Sequence, residues 1–193
     1  CNKDNDKGGL NLGSGDIRIL NYAYELEQLE ARFYTEVVNS LYSGISVEES
    51  NILNDIQKHE VAHRDFFMAA LGSNAIATLD FDFSGIDFTS RASVLGTAKV
   101  FEDLGVAAYN GAGKLIVDTT YLLLAGKIVS VEARHAAAIR SLLAPNTTSF
   151  AGDDVVSIDK GLDGAMMPSE VLTAVGNTGY LKTKLDASNL PTS

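Results

Sequence analysis

The stretch DIRILNYAYELEQLEARFYTEVVNSLY, residues 16–42, decides the fold. Its apolar positions Ile17, Leu20, Ala23, Tyr24, Leu26, Ala31, Phe33, Tyr34, Val37, Val38 and Leu41 follow a helical rather than an alternating rhythm, with no Gly or Pro inside. A long helix is predicted. The next begins at Ser46-Val47-Glu48-Glu49, where a serine oxygen and a glutamate three residues on satisfy free backbone donors, and runs to Leu71 before Gly72. Only a short turn separates the two, so they lie antiparallel.

Residues 72–88 lose the helical period and contain the alternation Leu79-Asp80-Phe81-Asp82-Phe83-Ser84-Gly85. Extended, this segment reaches roughly 55 Å, more than the roughly 38 Å of a 25-residue helix, so it can carry the chain back along the molecule. A third helix is predicted from Thr89 or Ser90 to between Gly111 and Gly113. A fourth runs from Asp118 or Thr119 to Leu143, stopped before Pro145. The fold class is all-α: a four-helix bundle of two antiparallel hairpins joined by a long crossover. Residues 1–15 read as a flexible tether, 16–143 as the bundle and 144–193 as an irregular extension packed on it. Within that extension Pro168-Ser169-Glu170 opens a short fifth helix through Val175, ended by Gly176.

One pattern occurs twice: a glutamate, a tyrosine seven residues later, then Glu-x-x-His. The first copy is Glu27, Tyr34, Glu60 and His63; the second is Glu102, Tyr109, Glu132 and His135. Glu27 lies 17 residues before a turn at Gly44 and Glu60 lies 16 after it, while Glu102 and Glu132 each stand 15 residues from Val117. Both antiparallel hairpins therefore bring their acids to matched heights. Positions i and i+3 share a helix face, so each histidine points with its glutamate. Four ionised carboxylates in a core would repel one another and pay for desolvation, but two divalent ions balance their charge. The carboxylate and imidazole set suits iron or manganese, and the absence of thiolates disfavours structural zinc.

Other polar residues take blander readings. Glu30, Glu36, Glu48 and Glu49 read as surface residues, and His59 as a surface histidine turned about 100° from Glu60. Tyr34 and Tyr109 fit either core packing or a hydrogen bond to a ligand carboxylate. Asp103, Arg64 and Arg134 are candidates to brace the site.

The net charge of -10 and pI near 4.6 argue against a nucleic-acid partner, which would need clustered Lys and Arg. No run of eighteen apolar residues spans a membrane. The single cysteine, Cys1, followed by the polar run Asn2-Lys3-Asp4-Asn5-Asp6, resembles the start of a mature bacterial lipoprotein, implying a lipid anchor as the only membrane attachment.

Leu26-Glu27-Gln28-Leu29-Glu30-Ala31-Arg32-Phe33-Tyr34, Phe101-Glu102-Asp103-Leu104-Gly105-Val106-Ala107-Ala108-Tyr109 and Val131-Glu132-Ala133-Arg134-His135-Ala136-Ala137 resemble the ferritin-like superfamily, and within it the bacterial ferritin-like domain proteins called desiccation-related. The resemblance covers about residues 16–143 and implies a dimetal centre. The six ligand positions are Glu27, Glu60, His63, Glu102, Glu132 and His135, holding two ions, iron first and manganese as the alternative. The superfamily hosts iron storage, peroxide reduction, oxygenation and radical generation, so the resemblance does not select a reaction; the expectation is a di-iron oxidoreductase of ferroxidase or peroxidase type with O2 or peroxide as its oxidant, placed in the bacterial cell envelope by the Cys1 start, with a homodimer as a possible assembly. The alternative is a non-enzymatic envelope stress protein whose metal site is structural or empty.

Overall fold

The computed structural model describes residues 9–186 and 190–191. Four helices of similar length build the bundle: α1 (Gly15–Asn39), α2 (Val47–Leu71), α3 (Arg91–Gly113) and α4 (Thr119–Leu143). Ser46 caps α2 as predicted, although the Glu49 side chain pairs with Arg91 rather than closing the box, and Ser90 and Asp118 cap α3 and α4. Ser46 Oγ accepts from the Glu49 amide at 3.0 Å, Ser90 Oγ from Ser93 at 3.4 Å, and Asp118 Oδ1 from Thr120 at 2.7 Å. Gly44 turns the first hairpin with φ of 80°, a left-handed conformation that glycine adopts without steric cost. α1 packs mainly on α2, and α3 mainly on α4.

Helix α1 is buried along 16 of its 25 residues, whereas α2 and α4 each bury six, so α1 is covered on more than one side. The crossover supplies part of that cover, and two polar residues of α1 receive it. Asn21 Oδ1 accepts from the Ile76 amide at 2.9 Å, and Gln28 Oε1 from the Leu79 amide at 2.8 Å. Phe83 and Phe88 of the crossover then lie about the fully buried Phe33, 6.1 and 6.0 Å from its ring centre, with Tyr34 and Phe101 each at 5.1 Å. The alternation in residues 79–85 thus fits a segment laid against a helix, with Leu79 inward.

The extension is tied to the bundle at three places. Arg140 of α4, 2% exposed, bonds Asp103 of α3 and Asp154 of the extension. The Met166 amide donates to Ala107 O at 2.9 Å, an approach that only a glycine at 111 permits, since a Cβ there would sit 1.8 Å from Met166 O. The fifth helix, α5 (Pro168–Thr178), seats Val171 and Val175 in the core. It continues past Gly176, the predicted stop, and ends at Gly179, whose φ of 73° makes the left-handed cap.

Beyond α5 the chain returns along the crossover, and a short parallel pair joins β1 (Leu10–Asn11) to β2 (Leu185–Asp186). Leu12 is buried. The span read as a tether is therefore packed from residue 9 onward, because Leu10 and Leu12 have apolar surface to cover. Cys1, on which the anchor expectation rests, lies outside the described residues. Among those described, no helix is long and apolar enough to cross a membrane.

Candidate metal centre

Each bundle helix contributes to one interior cluster: α1 gives Glu27, α2 gives Glu60 and His63, α3 gives Glu102, and α4 gives Glu132 and His135. All four carboxylates have 0% exposure. The histidines differ, with side-chain exposures of 13% for His63 and 5% for His135. All six predicted residues come together, as the matched hairpin heights require.

Their donor atoms form two groups. Around His63 Nδ1 lie Glu132 Oε1 at 2.9 Å, Glu27 Oε2 at 3.4 Å and Glu60 Oε2 at 3.7 Å. Around His135 Nδ1 lie Glu60 Oε1 at 2.7 Å, Glu102 Oε2 at 3.5 Å and Glu132 Oε2 at 4.0 Å. Glu60 and Glu132 each give one oxygen to each group, while Glu27 and Glu102 serve one group apiece. Two ligands each about 2.1 Å from an ion stand about 3.0 Å apart at a right angle and about 3.4 Å apart at the tetrahedral angle. Ligands on opposite sides of the ion stand about 4.2 Å apart, and the observed spacings of 2.7 to 4.0 Å scatter across the span from adjacent to opposite positions.

Every one of these eight atoms is buried without an aligned hydrogen-bond partner. Buried polar atoms are normally satisfied, so eight together at one point call for a ligand they share. Four oxygen or nitrogen donors per position, with two carboxylates common to both, fit a pair of divalent cations. The remaining oxygens of the two terminal acids are occupied: Tyr34 Oη donates to Glu102 Oε1 at 2.6 Å, and Tyr109 Oη donates to Glu27 Oε1. The tyrosine of each sequence copy thus holds the glutamate of the other, leaving one oxygen of each acid turned to the cluster.

Without metal the cluster holds protons. Burial pushes Glu27 up to about 7 against the opposing bonds from His63 and Tyr109. Burial, then repulsion from Glu60 and Glu27, drives Glu132 well above the carboxylate range, and burial also raises Glu102. Glu60 goes the other way: burial opposes its charge, but His135 and His63 outweigh that and hold it down to about 2. The same contacts overcome burial to lift His63 to about 12 and His135 to about 10.

Two surface readings are corrected, and a third holds but is incomplete. Glu30 is 3% exposed and feels Glu132, Glu60, Glu102 and Glu27, with burial the first cause of its raised pKa. It stands one turn after Glu27 on the same face, and space for it exists because α3 presents Gly105, where a Cβ would come 3.1 Å from Glu30 Oε1. Glu49 is buried beneath Arg91, which donates to it at 2.8 Å. His59 is exposed as read, yet its Nδ1 lies 2.9 Å from His135 Nε2. Of the expected braces, Asp103 binds Arg140, Arg64 pairs with Asp65, and Arg134 is exposed.

A family model described as a ferritin-like domain matches residues 15–145, the span from the start of α1 to the end of α4. No curated protein matches the chain.

Proposed function

Because the chain belongs to the ferritin-like domain family, we propose that it is a dimetal protein of redox function, a di-iron ferroxidase or peroxidase with O2 or peroxide as oxidant and manganese as the alternative metal. One observation carries this reading: eight buried ligand atoms without an aligned hydrogen bond sort into two sets of four that share Glu60 and Glu132. The ions when bound supply electrons for the oxidant. The chain's own groups do the rest. Glu27 and His63 would hold one ion and Glu102 and His135 the other, with Glu60 and Glu132 offering an oxygen to each. Tyr34 and Tyr109 lock the terminal acids in their ligating rotamers, so binding costs little reorganisation. Four carboxylates and two neutral imidazoles cancel the charge of two divalent ions, which suits a site from which water is excluded. The partly exposed edge of His63 is the side from which a small oxidant reaches the pair.

A second reading, a structural cluster that needs no ion, draws on the pairing of Glu60 with two protonated histidines. Turnover separates the two. The purified chain, loaded with iron, is assayed for aerobic Fe(II) oxidation and for peroxide consumption beside Glu60→Ala, which removes a shared ligand. Rapid oxidation by wild type and background rates in the variant are expected; equal inactivity of both rejects the enzyme.

A further inference from the structure

The two halves of the cluster are near copies, related by an offset of 75 residues between the first-helix positions (Glu27 to Glu102, Tyr34 to Tyr109) and of 72 between the second (Glu60 to Glu132, His63 to His135). The copy fails at His59. Its counterpart is Val131, a side chain with no donor or acceptor. His59 Nδ1 lies 2.9 Å from His135 Nε2, the rings are inclined by only 6°, and their centres are 5.2 Å apart. Face-to-face stacking would bring the centres much closer. An imidazole nitrogen sits about 1.15 Å from its ring centre, so a nitrogen contact of this length lying along the line of centres places them about 5.2 Å apart. The rings are coplanar, edge to edge and in line, which is hydrogen-bond geometry.

That bond fixes which nitrogen of His135 faces the carboxylates. A neutral imidazole carries one N–H, and Nδ1 can ligate only if the proton is on Nε2. In that tautomer Nε2–H donates a hydrogen bond to an unprotonated His59 Nδ1, which holds the ring in plane with Nδ1 toward Glu60 and Glu102. For His63 the related position is Val131, so no such acceptor comes from that side, and its ring is the more exposed of the two.

Resting on the dimetal reading above, we infer that His59 is a positioning residue for His135 and makes the two cation positions unequal: the Glu102/His135 position binds first and tightly, the Glu27/His63 position second and exchangeably. Outer partners of a metal-bound histidine commonly change affinity by 10–100-fold. The exposed side chain of His59 makes its replacement compatible with folding, which an unchanged melting temperature of the metal-free variant verifies.

The test is an anaerobic titration of the full chain with Co2+, followed by its absorption bands and by proton NMR of the loaded protein. Wild type is expected to take up two ions in distinct steps and to show a shifted, slowly exchanging N–H resonance from His135. In His59→Ala the tighter step weakens by about 10–100-fold, the weaker step moves less than about twofold, and that resonance is lost to solvent exchange. His59→Gln, which keeps an acceptor, recovers part of the affinity. Two ions bound with both steps unchanged in His59→Ala, or both weakened alike, overturns the inference and leaves the dimetal reading standing. Failure of wild type to bind Co2+, Mn2+ or Fe2+ removes both.

Discussion

Loading the centre with metal at pH 7 should expel about three to four protons, because the ligands that bind an ion are the groups that hold protons without one. His63, lifted to about 12, and His135, lifted to about 10, each carry an extra proton at this pH, and burial with the charges of Glu60 and Glu27 favours a further one on Glu132. Glu27, at about 7, contributes about half a proton, and Glu60, held to about 2, contributes none. Each proton released makes apparent affinity rise tenfold per pH unit, so joint uptake of two ions tightens on the order of 10^3-fold from pH 6 to pH 7. Calorimetric titration with Mn2+ in two buffers of different ionisation enthalpy reads the number directly. The metal-free protein shows the opposite trend. Histidines raised above their unfolded value near 6.5 contribute stability that is fully present below that pH and is lost as pH rises through about 10 and 12, at about 1.4 kcal/mol per unit for each group. Two ions bound with fewer than one proton released, or a metal-free melting temperature that climbs between pH 7 and 9, would refute the reasoning.

Four substitutions test other parts of the structure. Tyr34→Phe and Tyr109→Phe each remove one buried hydrogen bond to a terminal acid while keeping the ring; a loss of about 1–3 kcal/mol and 10–100-fold weaker metal binding are expected, read by thermal melts with and without Mn2+. Glu25 is buried with both oxygens unpartnered, and burial pushes it up to about 8, so the stability it permits is intact below about pH 4.5 and lost as pH rises toward 8. Glu25→Gln should gain about 3 kcal/mol at pH 7 and almost nothing at pH 4; denaturant melts that differ equally at both values argue against this account. Gly111→Ala forces Met166 away from α3, and about 1–3 kcal/mol of destabilisation with faster proteolysis after residue 143 is the expected result; an unchanged melt and digestion pattern contradict the close approach.

What the chain discloses before folding is what a single helix face and a single hairpin can encode. Glu-x-x-His places two side chains on one face of one helix, and the distance of each acid from its turn sets its height, so the six-residue cluster follows from spacing. Burial belongs to pairs of helices. Glu30 and Glu36 are the same residue type in the same helix; Glu30 shares the face of Glu27 and Glu36 does not, but a shared face does not by itself make room for a fifth buried carboxylate. The difference is made by Gly105, seventy-five residues away, which leaves room for a carboxylate against α1, whereas Glu36 stays partly exposed and pairs with Arg32. Glu49 is decided likewise by Arg91, and the length of α5 by the left-handed turn at Gly179 rather than by the first glycine in its path. His59 shows the limit most clearly. Its angular position on α2 correctly makes it exposed, but exposure of a ring does not fix where its nitrogen points, and α4 lies close enough for that nitrogen to reach His135. A signal was nonetheless present: an internal repeat invites comparison of its halves, and two of the positions at which they diverge, Glu30 against Gly105 and His59 against Val131, are where the sequence reading missed a contact with the cluster. In a duplicated site, the shared residues mark the chemistry common to both halves, and the departures mark where the halves must behave differently.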